Sequence, residues 1–249
     1  MMNETAVETL GASVLFALVF IVGGRLHRPG NIRRRSVLSF SAGASVAYIF
    51  VHLSPELGQA RDVFVRETEN LGLPYAWYGV HLATMLGFVF FYGLEKYVKS
   101  FDTGSFQTVE KHREGRVFWI HVCVFCVYAW LVSYLMANSL EEGAVPVGFY
   151  AAAMGLHFLT VSNGLRREYV ALYDRIGSRL LAACVLGGWA GGMLTELPRS
   201  VIAGLLGVVS GGVIVNTLIE ELPREKESRF IPFAAGAVVY SALVLVAFG

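Results

Sequence analysis

Apolar residues in this chain come in long unbroken runs and do not alternate with polar ones. Eight runs of about 20 residues, the length of helix that crosses a bilayer, lie near 6–24, 35–54, 74–95, 117–138, 145–165, 178–197, 201–220 and 230–248. Short polar stretches between them read as loops. The pattern predicts an all-α integral membrane protein of eight transmembrane helices, one membrane domain over residues 1–249. A β-barrel would need apolar and polar residues alternating within short segments.

Charge orients the spans. The first run follows an acidic flank, Asn3-Glu4-Thr5, and precedes the basic cluster Arg25, Arg28, Arg33, Arg34 and Arg35. A cleavable leader has its positive charge first, so this run reads as a retained span with the N-terminus outside. Alternate loops then gather the basic residues: Lys96, Lys99, Lys111, Arg113 and Arg116, then Arg166, Arg167, Arg175 and Arg179, then Arg224, Lys226 and Arg229. The opposite side holds only Arg61, Arg66 and Arg199. Positive loops stay in the cytoplasm, so both termini are expected outside a cytoplasmic cell membrane, in a multi-pass arrangement.

Composition agrees and narrows function. Apolar residues make up 55% of the 249 residues and charged ones 16%, with a mean hydropathy of +0.56. Soluble domains carry about 25% charged residues, so a soluble enzyme is excluded. A net charge of +1 gives no basic field for nucleic acid, and the lipid bilayer is the expected partner. No Walker loop, His-Glu-x-x-His or Gly-x-Ser-x-Gly motif occurs. The expectation is a non-enzyme, and any transport would be facilitated or ion-coupled. Cys123, Cys126 and Cys184 all lie inside apolar runs and make no disulfide framework. Cys123 stands about 200° and Cys126 about 140° around the helix from His121, so a Cys–His site is not expected.

Two segments repeat. Span 2 has Gly43 twelve positions before Pro55, and span 7 has Gly211 twelve positions before Pro223. At that spacing Tyr48 matches Asn216 and His52 matches Glu220. The two spans run in opposite directions, which predicts an inverted repeat of helices 1–3 and 6–8 around helices 4 and 5, with a substrate path near midplane where helices 2, 4, 5 and 7 meet. The small-residue faces Gly187, Gly188, Gly191, Gly192 and Gly204, Gly207, Gly211 allow close helix approach within the chain, or a homodimer face.

Ionisable residues at lipid depth are costly and mark function. His157 lies near the middle of span 5 and His121 about one turn into span 4; His52 and His81 lie towards the outer ends of spans 2 and 3. Asn216 and Glu220 share a face of span 7 with Gly212, and His157, Thr160 and Gly164 share a face of span 5. Such stripes suit a divalent metal or a proton; hydrogen bonds that only hold the bundle together are the simpler reading. His52 and His81 also fit a transmembrane haem pair in a redox protein.

Taken together these residues resemble the ZIP (Zrt/Irt-like) metal transporters, over the whole chain. The resemblance rests on Ser41-Ala42-Gly43-Ala44 through His52-Leu53-Ser54-Pro55-Glu56, on the Leu86 to Lys96 stretch ending Glu95-Lys96, and on Glu220-Glu221-Leu222-Pro223. It implies eight spans in a 3+2+3 arrangement, both termini outside, and a divalent cation (zinc, iron or manganese) as substrate. Where the family has His-Asn-x-x-Asp-Gly in span 4, residues 121–126 keep only His121; where it has His-Glu-x-x-His-Glu in span 5, residues 157–162 keep only His157. The resemblance therefore implies a reduced metal site of His121 and His157, supplemented by His52, Asn216 or Glu220. The missing carboxylates leave a second expectation open: a ZIP-like binding or regulatory membrane protein that no longer transports.

Overall fold

A computed structural model describes residues 4–23, 32–100, 110–138, 147–221 and 229–248. Each of the eight apolar runs is helical over most of its described residues, and no strand occurs among the described residues. The helices are α1 (Glu4–Val22), α2 (Ile32–Tyr48), α3 (Ser54–Thr68), α4 (Gly79–Ser100), α5 (Glu110–Ala137), α6 (Val147–Glu168), α7 (Val170–Leu172), α8 (Ser178–Leu194), α9 (Arg199–Asn216) and α10 (Phe230–Phe248). Among the described residues five windows are long and apolar enough to cross a membrane: Thr5–Val22, Ala76–Val98, Gly115–Ala137, Val170–Leu194 and Arg199–Ile219. The apolar stretch of α10 is shorter, α2 opens on arginines, and α6 ends Arg166-Arg167-Glu168. Only 17% of the Ala76–Val98 window is buried. Leu82, Met85, Leu86, Val89 and Phe90 stand exposed along it. An apolar surface of this kind belongs against lipid rather than water.

One stretch differs from the sequence expectation. The residues after Pro55, read as a loop, continue as helix α3. A π turn, Ile49–Leu53, joins α2 to α3 without a break, and the Ser54 N–H donates five residues back to the Ile49 carbonyl. Proline explains the wide turn. Pro55 has no N–H to donate, and its ring would strike the carbonyl four residues back in a regular helix. Widening the preceding turn relieves that clash. Beyond it Leu57, Ala60 and Val63 are buried, and α3 packs on α9. Arg61 lies over the Trp77 ring at 4.0 Å and ties α3 to the segment ahead of α4.

Helix pairs close on glycine. A side chain on Gly43 of α2 would fall on the Phe233 carbonyl of α10, and one on Gly236 of α10 would fall on the Phe40 carbonyl of α2. The α4–α9 pair repeats this: Gly211 lies under the Thr84 carbonyl and Gly87 under the Val208 carbonyl. The spacing is the same in both pairs, with Phe40 and Gly43 in α2 matching Val208 and Gly211 in α9, and Thr84 and Gly87 in α4 matching Phe233 and Gly236 in α10. A π turn opens six residues after Gly43, at Ile49, and another six residues after Gly211, at Thr217. On the other side of the bundle, Gly188 and Gly192 of α8 admit α5, and α1 packs on both α6 and α8. Hydrogen bonds join these helices, a buried one between Ser13 and Ser133 at 2.9 Å and a half-buried one from the Trp189 indole N–H to Thr9 Oγ1 at 3.1 Å. Interhelical bonds of this type contribute about 0.6–2 kcal/mol each in membranes.

Two glycines of one helix make a test. Gly211→Leu would drive a side chain into the α4 backbone and is expected to cost about 3 kcal/mol, at the upper end for overpacking. Gly204, also in α9, has open space where its side chain would be, so Gly204→Ala is expected to be neutral or slightly stabilising. Thermal unfolding of the detergent-solubilised variants separates the two.

Candidate functional site: a histidine between two carboxylates

His121 is 4% exposed, deep in the bundle on α5. Its position follows from α5 packing on α8 and α9, which turns the Phe118, Val122 and Phe125 face inward, buried alongside it. Carboxylates approach both sides of the ring. Nε2 lies 3.9 Å from Glu95 Oε2 on α4, and Nδ1 lies 3.5 Å from Glu168 Oε2 at the end of α6. Both separations exceed ordinary hydrogen-bond length. The imidazole is flanked rather than clamped, and Nδ1 is buried with no hydrogen-bond partner.

These groups line a small cavity. Glu95, His121, Phe125, Thr160, Gly164, Glu168 and Asn216 form its wall, with Val161 and Leu165. The space open to the centre of a water-sized sphere is about 20 Å³, enough for one ion or water. Asn216, 9% exposed on the last turn of α9, leaves its buried Nδ2 without a hydrogen-bond partner. The Thr160 hydroxyl donates to the Leu156 carbonyl at 3.2 Å and keeps its lone pairs for a guest. Buried polar atoms left unsatisfied are rare in folded proteins, and here His121 and Asn216, which each carry one, line the same cavity.

The residues singled out from sequence divide. His121 and Asn216 meet at the cavity, with Thr160 and Gly164 of the span 5 stripe. His157 does not line it. It is 2% exposed, and its Nε2 makes a 3.0 Å hydrogen bond with the Tyr128 hydroxyl. His52 lies in the first π turn, its ring stacked on Tyr48 at 5.4 Å. Glu220 belongs to the second π turn, Thr217–Glu221, and its side chain falls outside the described residues. His81 is exposed on the first turn of α4. Cys123 is exposed, Cys126 buried and Cys184 half-buried, and none lines the cavity.

The cavity also lies elsewhere than expected. It forms between α4, α5, α6 and α9, so span 3 takes the place assigned to span 2. It sits towards the C-terminal ends of α4, α6 and α9. Sequence reasoning missed Glu95 and Glu168 because both lie at the edge of their apolar runs, where a carboxylate is ordinarily solvated. A signal for Glu168 was present: it continues the Thr160, Gly164 stripe by one more turn. Among the described residues no three His, Cys, Asp or Glu side chains converge closely enough to hold a metal ion. The geometry accounts for that, because Glu95 and Glu168 approach opposite nitrogens of one ring.

Tyr128→Phe removes the hydroxyl that contacts His157 and is expected to cost about 1–3 kcal/mol of stability. Thermal unfolding in detergent measures it.

Compared with known proteins, the chain matches no family model, and no curated protein is significantly similar to it.

Proposed function

We propose that this protein is a ZIP-like membrane transporter that carries a divalent metal cation through the cavity at His121. The observation that carries this reading is the meeting of His121, Glu95, Glu168 and Asn216 around one small cavity inside the bundle. Imidazole and carboxylate together suit zinc, iron or manganese. Glu95 and Glu168 supply the negative charge that the motif stretches 121–126 and 157–162 lack. An ion here would take one ring nitrogen and one carboxylate, with Thr160 or Asn216 completing its shell. So sparse a ligand set suits cargo, which must leave as readily as it enters.

The architecture of this reading is an inverted repeat. One unit runs from α1 through the α2–α3 rod to α4, and the other is α8, α9 and α10, with α5 and α6 between. It is supported by the equivalent glycine contacts of α2–α10 and α4–α9 and by the matched π turns. Eight spans, both termini outside and the cavity facing the basic cytoplasmic side complete it, as the loop charges suggest. Without a nucleotide-binding loop, movement would be facilitated or ion-coupled. The carboxylates missing from the stretches 121–126 and 157–162 favour the second reading, a membrane protein that binds a cation without moving it.

Uptake into proteoliposomes tests both. Wild-type protein is expected to take up at least one of zinc, manganese, iron and cobalt with saturable kinetics. His121→Ala is expected to abolish uptake, and Glu168→Gln to reduce it by tenfold or more. Folded wild-type protein that binds a metal at the cavity but moves none would overturn transport and leave binding. Uptake unchanged in His121→Ala would remove the cavity from the pathway.

A further inference from the structure

The α5–α8 interface holds two cysteines that the cavity does not use. Residue numbers rise together across it. Trp130 of α5 faces Gly188 of α8, and Tyr134 faces Gly192 one turn on, so the helices are parallel. One turn back along each helix from Trp130 and Gly188 lie Cys126 and Cys184. Their side chains are neighbours across the interface. The backbones are close here. A side chain on Gly188 would fall on the Trp130 carbonyl, and the Asn138 amide donates to the Gly192 carbonyl at 3.1 Å. Close parallel helices bring facing α-carbons towards the separation of about 4.4–6.8 Å that a disulfide spans.

We propose that Cys126 and Cys184 form an oxidisable dithiol that closes reversibly into a disulfide and pins α5 to α8. The chemistry needs a two-electron oxidant of the peroxide class. Cys184, the more exposed of the two, reacts first: its sulfur takes an oxygen from the peroxide, giving a sulfenic acid and one water. The Cys126 sulfur then attacks that sulfur, the S–S bond forms, and the oxygen leaves as a second water. Both cysteines are oxidised by one electron each, and the peroxide is reduced to two waters. The product carries no charge, which suits apolar surroundings that would oppose a lasting thiolate. Reduction by a small dithiol reverses the step. The crosslink also bears on the cavity, because His121 stands on α5 five residues before Cys126.

Thiol counting on the full chain decides this. Folded protein in detergent is exposed to hydrogen peroxide, denatured, labelled with a maleimide mass tag and mapped by peptide mass spectrometry. The wild type, with three cysteines, is expected to fall from three labelled thiols to one and to return to three after dithiothreitol. Cys123→Ser is expected to fall from two to none, and Cys184→Ser to keep both of its thiols. Three thiols remaining in the oxidised wild type would overturn the proposal. So would a crosslink that maps to Cys123 or joins two chains, or a loss of thiols that persists in Cys184→Ser.

Discussion

Two helices in a bilayer gain little by hiding leucine from lipid, because lipid tails are as apolar as leucine. Association has to come from contact, and contact improves as backbones approach. In this protein the approach is set by glycine. Gly43, Gly236, Gly87 and Gly211 each lie where a side chain would collide with the carbonyl of a neighbouring helix. Gly188 makes the same kind of approach to Trp130 between α8 and α5. The large side chains are thereby freed to face outward, and the exposed leucines, valines and phenylalanines of α4 and α10 form an apolar surface suited to lipid.

The cavity follows from that arrangement. α4 and α9 are held together by Gly87, Gly207 and Gly211, which fixes Glu95 relative to Asn216. α5 is fixed against α8, and α6 against α1. Where the ends of α4, α6 and α9 approach α5, polar side chains from four helices meet. Their mutual proximity sets the His121 ring between two carboxylates, with Asn216 on the same wall. A bundle stabilised by apolar contact alone would have no reason to bring Glu95, His121, Glu168 and Asn216 together. That is the physical ground for reading the site as functional.

Much of the helical layout was legible in the sequence, because apolar runs of bilayer length leave few alternatives. The glycine faces and the Gly43 and Gly211 correspondence were legible for the same reason: small residues at fixed spacing have few uses in a membrane helix. The site was legible only in part. His121, Asn216, Thr160 and Gly164 follow from polarity at depth and helical spacing. His157 was equally polar and deeper, yet Tyr128 satisfies it, and no pattern along one helix reveals a partner on another. Glu95 and Glu168 were hidden by the opposite error. A carboxylate at the end of an apolar run reads as solvated; here Glu95 is largely covered, Glu168 stays partly in solvent, and both still reach the His121 ring. The α3 helix was missed because Pro55 and the polar residues after it resemble the end of a span.

The two π turns show how a straight rod can serve two neighbours. The α2 helix packs on α10, and α3, its continuation, packs on α9. An α-helix presents one face along its length, so an uninterrupted rod would keep the same partner. The π turn at Ile49–Leu53 adds one residue to a turn, which rotates everything after it by about 100°. The apolar positions Leu57, Ala60 and Val63 are thereby brought round to α9. The second rod behaves alike: α9 packs on α4, and its π turn, Thr217–Glu221, reaches α2 and α6 instead. Each rod changes partner at the point where it meets the other, since α2 touches the second π turn and α9 touches the first. The Pro55 position accounts for the first turn, and the sequence holds Pro223 at the equivalent place in the second. A residue usually read as a stop signal thus acts here as the means by which one helix passes between two layers of the bundle.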